Sequence, residues 1–334
     1  MTIGGQNTAE KLELEALEPQ NRENPAPQAA PAGESEFVAG DPARDFAPAF
    51  TVVRPAPQSL PIVVNSPHSG RHYPPAFLAA SQLDPLTIRQ SEDSFVDEIF
   101  ACAPAHGAPL MYAHFPRVYL DVNREAYELD PDMFEGTPPP YINSQSLRVA
   151  AGLGTIARVV NEANDIYRRP LPYAEAERRI KTLYHPYHNQ LETLLLETRE
   201  RFGCAILLDC HSMPSGHISV DEDYDGLRPD IVLGDRYGTS CAPGLIEAVE
   251  SVLRDRGYRV ARNHPYAGGF NTEKYGEPRT GAHALQIEIS RALYMDEQRY
   301  SQGPGLAKLN AHMAELLTHL GQFDFGMCLP KRRR

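Results

Sequence analysis

The stretch that most constrains the fold is residues 204–217, Cys-Ala-Ile-Leu-Leu-Asp-Cys-His-Ser-Met-Pro-Ser-Gly-His. Residues 205–208 are an unbroken apolar run of strand length, and the run stops at Asp209-Cys210-His211-Ser212, where the side chains become those that bind metals and move protons. In an open α/β sheet, ligands sit outside the carboxyl ends of the strands, so a site is expected here. Taken alone, the stretch is equally well a buried strand followed by a polar turn in which His211 caps a backbone group. The site reading gains weight because other strand-like runs end in the same way.

Those runs alternate with helical patterns. Strands are expected at 60–64, 110–113, 117–121, 230–234, 258–261 and 284–289. Helical spacing marks a region after Asp84-Pro85 that carries Glu92 and Asp93, a long helix over 173–201 interrupted at Pro186, an amphipathic helix over 243–256 and a closing one over 303–320. Residues 150–166 contain glycines that argue for broken structure, with a strand and then a helix. Residues 46–57 look like an extended lead-in, and 128–140 and 221–229 like surface loops. Strands alternating with helices predict a single α/β domain, a mixed and mostly parallel sheet flanked by helices, over residues 46–330. Residues 1–45 are rich in Glu, Pro, Ala and Gln and poor in large apolar groups, which predicts a disordered tail.

The formal charge of −12 excludes a nucleic-acid or anionic-membrane surface as the expected partner, so an acidic ligand would need a local arginine cluster. No run approaches membrane-spanning length, and the first residues lack the basic and apolar regions of a signal peptide. The five cysteines are scattered beside apolar runs, which suits buried thiols in a reducing compartment. A cytoplasmic enzyme is the expectation.

The chemistry comes from what stands at the strand ends. His68, either Glu92 or Asp93, and His211 supply two imidazoles and a carboxylate, the ligand set of a catalytic zinc that keeps a fourth position for water. In 284–289, Gln286, Glu288 and Ser290 share one face while Leu285, Ile287 and Ile289 share the other, so Glu288 is the expected general base. Pairing with Arg291, or exposure to solvent, would account for the same carboxylate without catalysis. Arg117 and Arg124 flank one strand end, and Arg279 and Arg291 flank the Glu288 strand. A guanidinium fork pairs bidentately with a carboxylate, which makes them a clamp for a small anionic substrate.

Six separated segments carry a resemblance: Asn65-Ser-Pro-His-Ser-Gly-Arg-His-Tyr-Pro74, Glu92-Asp-Ser-Phe-Val-Asp97, Arg117-Val-Tyr-Leu-Asp-Val-Asn-Arg124, His185-Pro-Tyr-His188, Leu208-Asp-Cys-His-Ser-Met-Pro214 and Leu285-Gln-Ile-Glu-Ile-Ser-Arg-Ala-Leu-Tyr-Met-Asp296. Together, over about residues 60–320, they make the chain similar to the N-formylglutamate amidohydrolase family. That family resembles zinc carboxypeptidases and aspartoacylases, which implies a zinc carboxypeptidase-like hydrolase fold with the metal at the carboxyl edge of the sheet. The resemblance implies Zn2+ on His68, Asp93 and His211, with Glu92 as the alternative acid, and cleavage of the formyl amide of N-formyl-L-glutamate to formate and the free amino acid. It places Asn123-Arg124 where the relatives grip a substrate carboxylate, and Glu288 where they keep the catalytic glutamate. Arg117 or a histidine such as His264 or His283 would help the oxyanion, and Arg279 or Arg291 would meet a second carboxylate. The chain departs from the wider pattern in that Arg71, and no glutamate, follows His68 after three residues. An amidase or carboxypeptidase for another N-acyl or N-formimidoyl amino acid or short peptide stays open, as does a metal or ligand-binding protein without catalysis.

Overall fold

Seven strands pair into one sheet with helices on both faces. They are β1 (Phe50–Val53), β2 (Ile62–Ser66), β3 (Leu110–Ala113), β4 (Ala205–Met213), β5 (Ile231–Gly234), β6 (Val260–Arg262) and β7 (Ala282–Ser290), in the spatial order β1-β3-β2-β4-β7-β5-β6. The central four, β3, β2, β4 and β7, are mutually parallel, β1 is antiparallel at one edge, and β5 with β6 runs antiparallel to β7. The sheet is therefore mixed and mostly parallel, as expected. This computed structural model describes residues 40–160, 164–216 and 228–330, all within one compact unit. The tail expected over 1–45 and the loop expected over 221–229 fall largely outside those residues, as does His217. Residues 42–45 of the expected tail form a short helix capped by Asp41, and Phe46 behind it is buried.

Alternation along the strands builds two cores. Leu208, Leu285 and Ile287 point to one face, against Leu245, Ile246 and Val249 of α2 (Pro243–Asp255) and Leu309, Met313 and Leu316 of α3 (Gly305–Leu320). Val63, Leu207 and Ala284 point to the other, against Leu183, Tyr187, Leu191 and Leu194 of a helical rod that ends in α1 (His185–Phe202). Each buried aliphatic side chain of this kind contributes roughly 1.5–3 kcal/mol. The rod begins at Tyr173–Arg179 and passes through a wider π turn, Ile180–Tyr184, immediately before Pro186, which has no amide hydrogen to offer the preceding turn.

Three expectations are corrected. Residues 117–121 are no strand: Tyr119 and Leu120 donate their amides to Pro116 O, and Asp121 donates to Thr155 O, so the segment is a buried turn. The region after Asp84 is no continuous helix but a turn at Thr87–Arg89, capped by Asp84, and a short helix at Val96–Ile99. Between them Phe95 sits at φ 65°, a conformation that no helix tolerates, and this break holds Asp93 in a turn. Among the described residues of 150–166 there is neither the strand nor the helix, only the end of a helix at Leu147–Ala150 and an isolated bridge between Val159 and Asp165. The lead-in at 46–57 does contain a strand, β1, paired with β3. No helix among the described residues is long and apolar enough to cross a membrane.

His188 shows how the rod is tied to the 117–124 turn. Its Nε2 lies 3.0 Å from Val122 O, which can only accept, so Nε2 carries the proton and Nδ1 accepts from Tyr275 OH at 2.7 Å. Burial first, and Lys274 second, pushes this imidazole down to about 3. A folded-state value below that of the free side chain means the stability is present above about pH 6.5 and is lost as pH falls toward 3. Between pH 7 and 5 the wild type should lose about 2 kcal/mol more than His188→Gln in denaturant titrations. Equal losses would show that His188 is not kept neutral.

Candidate active site

Because β2, β4 and β7 are parallel, their carboxyl ends share one edge. Asn65, Asp209 and Gln286 stand abreast on one face there, and one step further along His211 stands beside Glu288. His68 follows β2 in a turn pressed against the backbone of residues 114–115. Gly70 allows this approach, since a Cβ there would lie 2.1 Å from Phe115 O.

The structure brings together His68, Asp93 and His211, all buried, with one ligand atom of each within 4.8 Å of the others. Asp93 Oδ2 is 3.0 Å from His211 Nδ1 and 3.3 Å from His68 Nδ1. The far nitrogens are already committed: His68 Nε2 is 2.7 Å from Asp121 Oδ1, and His211 Nε2 is 2.9 Å from Asp209 Oδ2. Carboxylates only accept, so both Nε2 atoms carry hydrogen, and both Nδ1 atoms face the Asp93 carboxylate, where a proton or a metal ion can bridge nitrogen and oxygen. His68 Nδ1 accordingly is buried without a hydrogen-bond partner. Two imidazoles and one carboxylate converging in this way fit a divalent metal, with carboxylate-buttressed histidines of the kind that orient metal ligands. The electrostatics agree. Burial opposes charge on His211, yet the carboxylates of Asp209 and Asp93 raise it well above the ordinary imidazole value.

The buttresses are themselves held. Asp209 Oδ1 accepts from Asn65 Nδ2 at 2.7 Å and from Asn271 Nδ2 at 3.3 Å, and Asn65 Oδ1 accepts from Tyr187 OH. Asp121 accepts from Arg117 Nε at 2.9 Å, and Arg117 with nearby His68 and Arg124 keeps its carboxyl well below the usual range despite burial. Asp121, Asp209 and Asn65 were not singled out as site residues, although each lies inside one of the quoted segments. An Asp two residues before His211 falls on the same strand face, which is the signal that would have found Asp209.

Glu288 is 8 % exposed and accepts from Gln286 Nε2 at 3.0 Å. Burial, with Asp93 acting in the same sense, pushes its carboxyl up to about 7 against the pull of His211, Arg117 and Arg291. It opens with His211 into a cavity of about 430 Å³. Arg117, Arg124 and Asn123 line this cavity too, and so does Arg148, which no sequence motif marks.

Other expected site residues are elsewhere or otherwise engaged. Glu92 is occupied by Arg89, Tyr73 and Ser94 and is not at the cluster. Arg279 and His283 lie at the amino end of β7, roughly 20 Å of strand from Glu288. The Arg279 side chain is 87 % exposed, and His283 bonds Ala242 N and Cys328 O. His264 is exposed and does not line the cavity, whereas the next five residues, 265–269, do. Arg291 lines it but is committed to Ser212 Oγ, Gln90 O and Asp93 Oδ1, so it steadies the Asp93 turn and is not free to clamp a substrate. Asn123 accepts from Asn271 N and packs against Gly269, where a Cβ would come within 2.4 Å of its amide. Two nitrogens of Arg124 donate to backbone oxygens of Leu153 and Asn123, leaving Nη2.

Comparison with known proteins follows the same lines. A family model described as N-formylglutamate amidohydrolase matches residues 60–295. The chain is 29% identical over 242 residues to the N-formylglutamate deformylase of Pseudomonas aeruginosa, covering 72% of this chain and 84% of that one, and 28% identical over 241 residues to the corresponding Pseudomonas putida protein, covering 71% and 83%. The crystal structure of N-formylglutamate amidohydrolase from Ralstonia eutropha JMP134 superposes with a TM-score of 0.75 at 38% identity, over 82% of this chain and 97% of that one. With most of its length under one family model, the chain belongs to the N-formylglutamate amidohydrolase family.

Proposed function

We propose that residues 46–330 hydrolyse the formyl amide of N-formyl-L-glutamate, or a closely related N-formyl amino acid, to formate and the free amino acid, with a zinc ion held by His68, Asp93 and His211. The observation that carries this is the adjacency of His211 and Glu288 on neighbouring strands, opening into a cavity walled by arginines. The names of the Pseudomonas and Ralstonia relatives supply the substrate.

The residues divide the work as follows. A divalent ion in this cage supplies Lewis acidity that polarises a carbonyl and lowers the pKa of water. Glu288 takes the proton from the attacking water and passes it to the departing nitrogen, and its value of about 7 suits both roles. Arg117, fixed by Asp121, supports negative charge developing on the formyl oxygen. Arg124, with Nη2 left over, meets the α-carboxylate.

Zinc-loaded protein should release formate from N-formyl-L-glutamate, and Arg124→Ala should lower kcat/KM by about 100-fold with metal content unchanged. Absence of formate release by the wild type would dispose of the reading. An Arg124→Ala variant as active as the wild type would remove only the clamp.

A further inference from the structure

N-formylglutamate carries two carboxylates, and the reading above places only one. Among the described residues, four arginines and two carboxylates, Asp121 and Glu288, line the cavity of a chain whose formal charge is −12. This local excess of positive charge is what a dianion requires. Of the four, Arg117 is tied to Asp121, Arg124 stands two-thirds committed beside it, and Arg291 is spent on the Asp93 turn. Arg148 remains. It projects from the short helix Leu147–Ala150, its side chain is 37 % exposed, and its ion pair with Glu128, at 3.7 Å, is longer than a hydrogen bond. Exposure rises from Arg124 (10 %) through Arg117 (27 %) to Arg148, so Arg148 lies nearest the mouth.

We propose that Arg148 binds the side-chain carboxylate of the substrate and so selects acidic N-formyl amino acids over neutral ones. The inference rests on the deformylase reading and extends it. Substrate connectivity agrees, because the side-chain carboxylate of glutamate lies two bonds further from the formyl carbon than the α-carboxylate does. With the formyl group beside His211 and Glu288, the distal carboxylate reaches furthest toward the mouth. The Arg124 guanidinium is pushed down to about 10, by burial first and by Arg117 and Arg148 in the same sense, so the three cations crowd one another and an anion between them relieves the repulsion.

The test compares wild type, Arg148→Met and Arg148→Lys on N-formyl-L-glutamate and its neutral isostere N-formyl-L-glutamine. The ratio of the two kcat/KM values should fall about 10- to 100-fold in Arg148→Met, with Arg148→Lys in between, since a point charge replaces a fork. An unchanged ratio overturns the proposal, including the case in which both substrates lose equally. Titration calorimetry with glutarate and its monoamide separates this from failure of the reaction itself. Weaker glutarate binding in Arg148→Met, with binding of the monoamide little altered, supports the distal contact even if no N-formyl substrate turns over. Equal glutarate affinity in the two proteins refutes it.

Discussion

Glu288→Gln is expected to lower kcat for formate release by about 10³-fold or more while leaving the fold and the bound metal intact. The substitution keeps the size and planarity of the side chain. An amide can also continue to accept from Gln286 Nε2, so the strand pair β4–β7 and the packing of 265–269 above it have no reason to move. What is lost is a basic oxygen. A carboxyl held near 7 by burial gives up and regains a proton at neutral pH with little free-energy difference, and among the described residues no other cavity-lining carboxylate can stand in. Asp121 is bound to Arg117 and His68, and the Arg117 charge above all holds it ionised and weakly basic despite burial. Elemental analysis together with single-turnover formate release checks the claim. A glutamine variant retaining more than about a tenth of wild-type kcat, with full metal content, would take the proton-transfer role away from Glu288.

The alternation in 284–289 and the apolar run at 205–208 made Glu288 and His211 legible, because strand periodicity states which residues share a face and where the strand stops. His68 was readable for the same reason. Asp93 was favoured over Glu92 by the resemblance alone, since adjacent carboxylates in a turn can face either way, and the left-handed Phe95 beside them leaves no trace in composition. Strand direction could have done more for the other cations. Residues that precede β7, such as Arg279, must sit at the amino edge if the site is at the carboxyl edge, and His283 differs from Glu288 by an odd number of residues, so it faces away. The 117–121 segment looked like a strand because Val118 and Leu120 are apolar. They are buried, but under a turn that Pro116 and the Asp121 contacts impose. Arg148 was beyond reach, because its approach to the cavity depends on an irregular segment with no period to read.

Removing the metal should abolish formate release and loosen the fold, and zinc should restore both. In the metal-free protein, Asp121 and Asp209 hold the two imidazoles with their Nδ1 atoms 3.3 and 3.0 Å from the Asp93 carboxylate, so positive charge must be supplied there by protons when no metal is bound. Either ring would lose a buried charge-assisted hydrogen bond by turning away, so the three ligand atoms stay clustered and a divalent ion is expected to hold them together more tightly than protons do. Zinc bound only to the folded state stabilises it by about 2.7 kcal/mol at a free concentration of 100 times Kd. For a chain of this size that corresponds to a rise in Tm of about 4 °C. The buttress contributes separately: Asp121→Asn keeps all three ligands but no longer dictates which His68 nitrogen carries the proton, so zinc affinity should weaken by about 10- to 100-fold, read by competition with a chromogenic chelator. Full turnover after exhaustive chelation, or a Tm indifferent to zinc, would mean that His68, Asp93 and His211 are held together by protons alone.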